Sequence, residues 1–238
     1  MKWCAKGIGI LAGLGLMFAL LLFSVEVVAY HMDGYYETEY AKYNVLEDVN
    51  MEMEDLLYVT EEMMEYLRGN RGDLVVETVV SGEPREFFND KEKRHMVDVQ
   101  ELFLTGMSAR WMCIFFAVVM GFAFYKKKVG DTFFGGIQWG IGLFLASIAG
   151  LCGLMMQDFN KYFTQFHLIF FDNDDWILNP QTDLLINIVP EGFFRDTAFL
   201  IAGIFLVSAA ILWIGSGIWK KRIHKGLGMD ADTNQMGV

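Results

Sequence analysis

Four long apolar stretches limit what this chain can fold into, because each approaches the length of a membrane-spanning helix. They cover residues 7–28, 111–125, 133–156 and 197–219. A helix needs about 20 residues to cross the hydrocarbon core of a bilayer, so the second stretch is long enough only if Arg110 lies within its helix. Hydrophobic residues make up 54% of the chain. The pattern predicts an all-α membrane protein with four transmembrane helices.

The apolar stretches define the predicted boundaries. We expect transmembrane helices at residues 1–29, 105–125, 133–156 and 197–219, a short loop at 126–132 and a tail at 220–238. Two longer connections, residues 30–104 and 157–196, join the helices on the other side. The first helix could instead be a cleaved signal peptide, because lysines precede it. Its length and the lack of a small-x-small cleavage site favour a retained helix.

Positive charges orient the predicted bundle. They flank the first helix, fill the short loop after the second and follow the fourth: Lys2, Lys6, Lys126, Lys127, Lys128, Lys220, Lys221, Arg222 and Lys225. In a four-pass protein these sites share one side, which the positive-inside rule assigns to the cytoplasm. Both termini are then cytoplasmic and the two long connections extracellular. Those connections hold the acidic excess behind the net charge of −11, which argues against nucleic acid as a partner.

The two outer connections carry signals for a small folded cap. Residues 49–68 predict an amphipathic helix, residues 74–80 a short strand, and the sequence SGEP at 81–84 a turn. In the second connection, Asn179 and Pro180 predict another turn, followed by an apolar run at 184–189. Neither connection can build a large soluble core by itself. We therefore expect both to form one extracellular α+β cap.

A further helix is predicted where the first outer connection returns to the membrane. Asp98 and Glu101 have the spacing of a capping box, so this helix should start near Val99 and run into the second transmembrane helix. His95 would then lie just before a helix N-terminus, close to the membrane surface.

The stretch FHLIFFDNDDW, residues 166–176, places one histidine in an aromatic run directly before three carboxylates. The carboxylates Asp172, Asp174 and Asp175 would be unfavourable in a buried core strand, and the aromatic rings would be unfavourable in a fully solvated loop. A seam between cap and bilayer suits both, because apolar rings meet lipid there and polar groups meet water.

Four histidines are candidates for chemistry, and two of them come from different outer connections. His224 lies in the predicted basic tail, and His31 is interfacial after the first helix. His95 and His167 both lie near the predicted membrane surface. Imidazole is the side chain best suited to moving protons near neutral pH, so this pair is the candidate proton-transfer site.

Metal and serine chemistry lack their usual signals. There is no HExxH pair for zinc, and the DNDDW run fails as an EF-hand because Trp176 and Ile177 occupy positions that need a ligand and a glycine. No GxSxG motif surrounds Ser81 or Ser108. We predict neither a metal nor a cofactor.

We assign structural roles to the cysteines and to the small residues in the membrane stretches. None of the cysteines suits an extracellular disulfide, because all lie in or beside membrane stretches: Cys4, Cys113 and Cys152. Pairs of glycines at helical spacing predict close helix packing: Gly9 with Gly13, and Gly136 with Gly140.

Two motifs carry a family resemblance. HMVDVQELF at residues 95–103 and FHLIFFDNDDWILNPQTDLLINIVPEGFF at residues 166–194 resemble a bacterial family of four-helix membrane proteins, the lipoprotein intramolecular transacylases (Lit). The resemblance covers nearly the whole chain, and it implies a multi-pass protein of the bacterial cell membrane with its active site on the extracellular face.

The resemblance implies a reaction and its residues. The implied enzyme moves the sn-2 acyl chain of a diacylglyceryl-cysteine lipoprotein to the cysteine's own α-amino group, with His95 and His167 as catalytic residues. The α-amino group has a pKa near 7.7–8.0 and needs a base, while the leaving glyceryl oxygen needs a proton. The implied partners are lipoproteins and membrane lipid. An aromatic pocket would fold the substrate back on itself; its candidate rings are Phe166, Phe170, Phe171, Trp176, Phe193 and Phe194.

Supporting roles are predicted for several polar residues. Asp172, Asp174 or Asp175 could orient an imidazole, as a carboxylate does in a catalytic triad. Arg110 either extends outward to water or contacts substrate oxygen atoms, and Glu191 is a further candidate for substrate binding.

Two functions of another kind remain open at this point. A lipase-like hydrolase would release the acyl chain to water as free fatty acid. A noncatalytic scaffold, whose acidic cap binds a partner, would tolerate loss of both histidines.

Overall fold

The computed structural model describes the backbone of residues 1–235, and the side chains of residues 1–215 and of Ile218. The side chains of His224 and of the basic cluster at 220–225, and the predicted tail residues 236–238, lie outside this description. The elements, in chain order, are α1 (Lys2–Tyr30), α2 (Tyr35–Lys42), α3 (Val45–Val49), α4 (Met53–Leu67), β1 (Glu77–Val80), β2 (Glu83–Glu86), α5 (Asp90–Lys126), α6 (Gly130–Met155), α7 (Phe159–Phe170), α8 (Leu185–Ile188) and α9 (Glu191–Gln235).

Four of the described helices are long and apolar enough to cross a membrane: α1, α5, α6 and α9. Each covers one of the apolar stretches, α6 to within one residue of its end, so the prediction of four membrane helices is confirmed. Helix α5 has 37 residues. At 1.5 Å per residue it is about 55 Å long, well beyond a hydrocarbon core of about 30 Å.

The chain divides into two compact units, and the first is almost entirely helical in the part that the structure describes. It comprises residues 1–24 and 108–153 and the chain from residue 202 onward. Its apolar core includes Met17, Phe133, Ile141 and Phe205, all nearly inaccessible to solvent. Such burial of large side chains between helices holds this unit together.

Glycines let α1 and α6 approach closely within this unit. A Cβ atom built on Gly9 would lie 3.0 Å from the Cα of Gly136, and one on Gly13 would lie 3.1 Å from the Cα of Gly140. The same Cβ atoms would lie still closer to the carbonyl oxygens of Phe133 and Ile137, at separations that real side chains essentially never show. The helices could therefore not pack this way with larger residues. The predicted packing role of these four glycines is confirmed.

The second unit gathers residues Val25–Met107 and Leu154–Ile201. It therefore combines the two predicted outer connections, and it holds the helices α2, α3, α4, α7 and α8 and the hairpin. Strands β1 and β2 pair antiparallel, with Val80 opposite Glu83. Ser81 and Gly82 form the two-residue turn, with φ angles of 55° and 80°. Pro84 was predicted in the turn but lies in β2, at an edge where its missing N–H costs no ladder bond.

The predicted capping box at Asp98 is wrong, because the helix begins two turns earlier. Asn89 is the actual cap: its Oδ1 accepts from the backbone N–H groups of Lys91 and Glu92 at 2.9 and 3.0 Å. In return, Glu92 accepts from the Asn89 N–H at 2.7 Å. This reciprocal pair has the capping-box spacing, and the sequence NDKE contains its signal. His95 consequently lies inside α5 rather than before it.

Glu92 also joins the two chain segments of the second unit. Its side chain is fully buried. Besides the cap bond, its carboxylate accepts from the backbone N–H of Leu185 at 2.6 Å, where α8 begins. Charge-assisted bonds of this kind are strong when desolvated. The start of α5 is therefore fixed to the segment that contains α8.

We predict that Gly136→Val destabilises the protein by about 1–3 kcal/mol, because its side chain would collide with the backbone of α1. The matched control is Gly142→Val in the same helix, where an added Cβ meets no atom within 4 Å. Thermal unfolding in detergent should show a lower midpoint for the first variant alone. Equal shifts for both would mean that helix propensity, rather than close packing, sets the effect.

Candidate active site

Two histidines meet in the interior of the second unit. His95 lies in the second turn of α5 and His167 in the last turn of α7, and each is only 7% exposed. Their ring centroids are 6.0 Å apart. The structure thus brings together two imidazoles that are 72 positions apart in the sequence (167 − 95).

A main-chain hydrogen bond orients His167. The Nδ1–H of the ring donates to the carbonyl oxygen of Phe163 at 2.8 Å, one helical turn earlier. Because a carbonyl can only accept, the neutral ring carries its proton on Nδ1. The lone pair is then on Nε2, and that nitrogen is free to accept a proton.

The surroundings of His167 favour its neutral form. Burial lowers the pKa of His167, and the hydrogen bond to the Phe163 carbonyl opposes this effect. Charging both rings at once is unfavourable because the second imidazole lies so near. A neutral His167 with a fixed tautomer can act as a base near pH 7.

His95 has an unusual polar environment. Its Nδ1 is buried and has no hydrogen-bond partner among the described residues. The ring packs edge-on against Phe171, with centroids 5.3 Å apart and an interplanar angle of 81°. A buried polar atom without a partner is unfavourable, so this nitrogen is suited to a group that arrives with a substrate.

Both histidines line a cavity of about 290 Å³. Its other walls are almost entirely apolar and come from α4, α5, α7 and the segment that follows α7. The lining residues are Met63, Leu67, Met96, Val99, Leu102, Phe103, Phe163, Phe166, Phe171, Trp176, Leu178, Leu185, Ile186, Val189 and Phe194. Such a lining suits an acyl chain and disfavours water.

The acidic stretch after α7 attaches its loop to α5. Asn173 donates to Asp98 at 2.8 Å. Arg94 donates twice to Asp175, both bonds at 2.9 Å. Lys91 donates to the carbonyl of Ile177. The three partners on α5 are spaced three and four residues apart, so they lie on one face of that helix.

The predicted carboxylate partner for an imidazole is not what orients His167, since the Phe163 carbonyl does so. Asp172 and Asp174 are exposed. Asp175 is engaged by Arg94, which lowers the pKa of Asp175. Asp98, predicted as a helix cap, instead accepts the bond from Asn173.

Four of the six predicted aromatic rings line the cavity: Phe166, Phe171, Trp176 and Phe194. Phe170 is 52% exposed and borders a separate groove beside α7. Phe193 is buried away from the cavity lining, against Tyr36 and Tyr40 at centroid distances of 6.2 and 6.0 Å.

The remaining predicted residues lie elsewhere. Glu191 is exposed at the first position of α9. Arg110 belongs to the first unit, where it is buried and its guanidinium lies 5.3 Å from the ring centroid of Trp111. Among the described residues, no three His, Cys, Asp or Glu side chains have the arrangement of a metal site.

Sequence reasoning missed two elements of the site. The Phe163 carbonyl has no sequence signal, because every helical residue offers one. Arg94 stands within the charged run KEKR, where a loop-binding role looks the same as a solvated helix face.

Comparison with known proteins identifies the family. The family model for the lipoprotein intramolecular transacylase Lit matches residues 10–194. The chain belongs to the Lit family. It is therefore a lipoprotein transacylase, an acyltransferase whose substrates are lipoproteins. Among curated proteins, the comparison finds no match.

Solved structures of this fold are similar over nearly the whole chain. The membrane integral lipoprotein intramolecular transacylase Lit from Bacillus cereus matches with a TM-score of 0.75 at 21% identity, covering 96% of this chain and 100% of that one. Two variants of that protein, with one histidine replaced by alanine or arginine, match with TM-scores of 0.72, also at 21% identity; they cover 95% of this chain and 96% and 95% of their own. The likeness shows a shared fold, that of a multi-pass membrane protein.

We predict that Asp175→Asn loosens the loop that follows α7, because it removes the charge that pairs with Arg94. Exposed ion pairs are weak, so the backbone N–H groups of Ile177 and Leu178 should exchange with solvent roughly twofold to fivefold faster. The control is Asp172→Asn, which neutralises an exposed carboxylate three residues earlier in the same loop. Hydrogen exchange measured by mass spectrometry would contradict the prediction if both variants behaved alike.

Proposed function

We propose that this transacylase moves the sn-2 acyl chain of a diacylglyceryl-cysteine lipoprotein to the α-amino group of the same cysteine. In this proposal His167 is the general base and His95 the general acid. The observation that carries it is the pair of buried imidazoles, with centroids 6.0 Å apart, in one apolar cavity. The Lit family membership supports the reaction type.

The bond changes balance without any added reactant. The amino nitrogen attacks the ester carbonyl carbon, so that an N–C bond forms and the bond from that carbon to the glyceryl oxygen breaks. Nε2 of His167 takes the proton from nitrogen, and His95 gives a proton to the glyceryl oxygen. Burial, with the nearby His167, lowers the pKa of His95 to about 4, so both rings start neutral. The pair then carries one proton, the one that His167 takes from nitrogen, and this proton passes to His95 as His95 gives its own to the glyceryl oxygen. This transfer between the rings restores the starting state.

The cavity explains why transfer is favoured over hydrolysis in this proposal. Nucleophile and ester belong to one molecule, so holding both near the histidines lowers the barrier through orientation. The apolar walls give the acyl chain a place to lie and keep water from the ester. A hydrolase would instead need water at the carbonyl carbon.

We also propose that both termini are cytoplasmic and that the histidine cavity faces the outside. The support is the sequence distribution of lysine and arginine beside the membrane helices. Lys2, Lys6 and the run Lys126, Lys127 and Lys128 would share the inner side.

Labelling of single cysteines in intact cells tests this topology. In a background without native cysteines, Glu61→Cys should react with a membrane-impermeant reagent, and Lys127→Cys should react only after lysis. Both positions are exposed in the structure, so access does not limit either reaction. The reverse pattern would overturn the proposed orientation.

Substitution of the histidines tests the proposed chemistry. His167→Gln and His95→Gln should each lower formation of the N-acylated lyso-lipoprotein by about 10²–10⁴-fold, because one general base or acid is lost. Loss of both should cost far less than the product of the single losses, because the pair serves one reaction. Mass spectrometry of the lipoprotein N-terminus measures the product.

His31→Gln is the matched control, because His31 is exposed and should leave most of the activity. A substitution at His224, in the predicted basic tail, should also leave most of the activity. Near wild-type conversion by a folded His167→Gln variant would contradict the proposal. Release of free fatty acid as the main wild-type product would replace transfer with hydrolysis.

A further inference from the structure

Trp176 covers one face of the proposed base. Its ring centroid lies 4.8 Å from that of His167, and the two planes are 29° apart. The neighbouring rings of Phe163 and Phe166 meet the imidazole at 64° and 82°. Among the described ring contacts of His167, the indole is the one closest to parallel stacking.

We propose that Trp176 is a positioning residue whose indole face stabilises the imidazolium formed when His167 takes up a proton. It would do the electrostatic work that a carboxylate does in a Ser-His-Asp triad. The inference rests on the proposed role of His167 as a base.

The interaction follows from the charge distribution of aromatic rings. A cation within about 6 Å of a ring centroid, over its face, is attracted by the ring quadrupole, and tryptophan gives the strongest attraction. The attraction is greater in a desolvated site. It therefore opposes burial, which lowers the pKa of His167.

Among the described residues, no carboxylate lines the cavity beside His167. Helix α5 contributes His95 to the cavity lining, and α4 contributes Met63 and Leu67. Asp98 and Asp175 act electrostatically on His95. Both are already bonded, to Asn173 and to Arg94.

The loop contacts hold the indole in place. Before Trp176 in the sequence, Asn173 and Asp175 are hydrogen-bonded to α5. Directly after it, the carbonyl of Ile177 accepts from Lys91 of the same helix. The acidic stretch therefore positions the aromatic ring over His167. Helix α5, which contains His95, thus also fixes the group that stacks on the second histidine.

The indole N–H points to the same conclusion. Trp176 Nε1 is buried and has no hydrogen-bond partner among the described residues. Phenylalanine would fill space here without burying an unpaired donor. What tryptophan adds is the more electron-rich face, which is the property that an imidazolium requires.

The test is the series Trp176→Phe and Trp176→Leu. In detergent micelles, NMR of ¹³C-labelled histidine should show the pKa of His167 falling from wild type to the Phe variant and further in the Leu variant. His167→Gln assigns the signal. Transfer by the Leu variant near pH 7 should be about tenfold slower, with a smaller loss for Phe. An unchanged pKa in the folded Phe variant would overturn the inference, whatever happens to the rate.

Phe194→Leu is the matched control. Phe194 lines the same cavity and contacts Phe163, at a centroid distance of 5.1 Å. The Phe194→Leu variant should leave the pKa of His167 unchanged. A fall in this pKa as large as that in Trp176→Leu would assign the effect to general repacking and overturn the role of Trp176. The titration needs no substrate, so its outcome is separate from whether His167→Gln abolishes transfer.

Discussion

The N-terminal extension of α5 is the constraint on which the rest of the site depends. Asn89 and Glu92 cap the helix reciprocally, and the same Glu92 carboxylate binds the start of α8. Because the helix begins at Asp90, the face with Lys91, Arg94 and Asp98 exists as a regular surface to which the loop after α7 can bind. If the helix began near Val99, this surface would have no fixed geometry and His95 would lie in a flexible approach to the membrane.

The aromatic and acidic halves of FHLIFFDNDDW have separate tasks that require each other. Its carboxylate and amide groups form the polar contacts to α5, and its rings build the wall of the histidine cavity. An acidic loop alone would leave the cavity open, and an aromatic loop alone would have no directional contact to define its position. The position of the Trp176 ring in the cavity wall thus depends on charged groups that do not themselves line the cavity.

Parts of this arrangement could be predicted from sequence, and the physical reasons differ from part to part. The four membrane helices follow from length and hydropathy, which act locally along the chain. The pairing of His95 with His167 was predicted from their shared position near the membrane surface and from the family motifs, since spacing alone does not join residues from two connections. The predicted start of α5 is wrong because Asp98–Glu101 and Asn89–Glu92 offer equivalent capping signals, and the buried bond from Leu185 that stabilises Glu92 comes from a distant part of the chain. The role of the Phe163 carbonyl could not be foreseen, because backbone acceptors are the same at every position.

The orientation of His167 by a main-chain carbonyl has a consequence for how the site responds to mutation. In a triad, a single codon change can delete the orienting group and leave the histidine in the wrong tautomer. Here the acceptor is the peptide oxygen at residue 163, which any amino acid in that helical turn supplies. The tautomer is therefore set by helical geometry, and a genetic screen would find no side chain, other than that of His167 itself, whose removal deletes this orienting hydrogen bond.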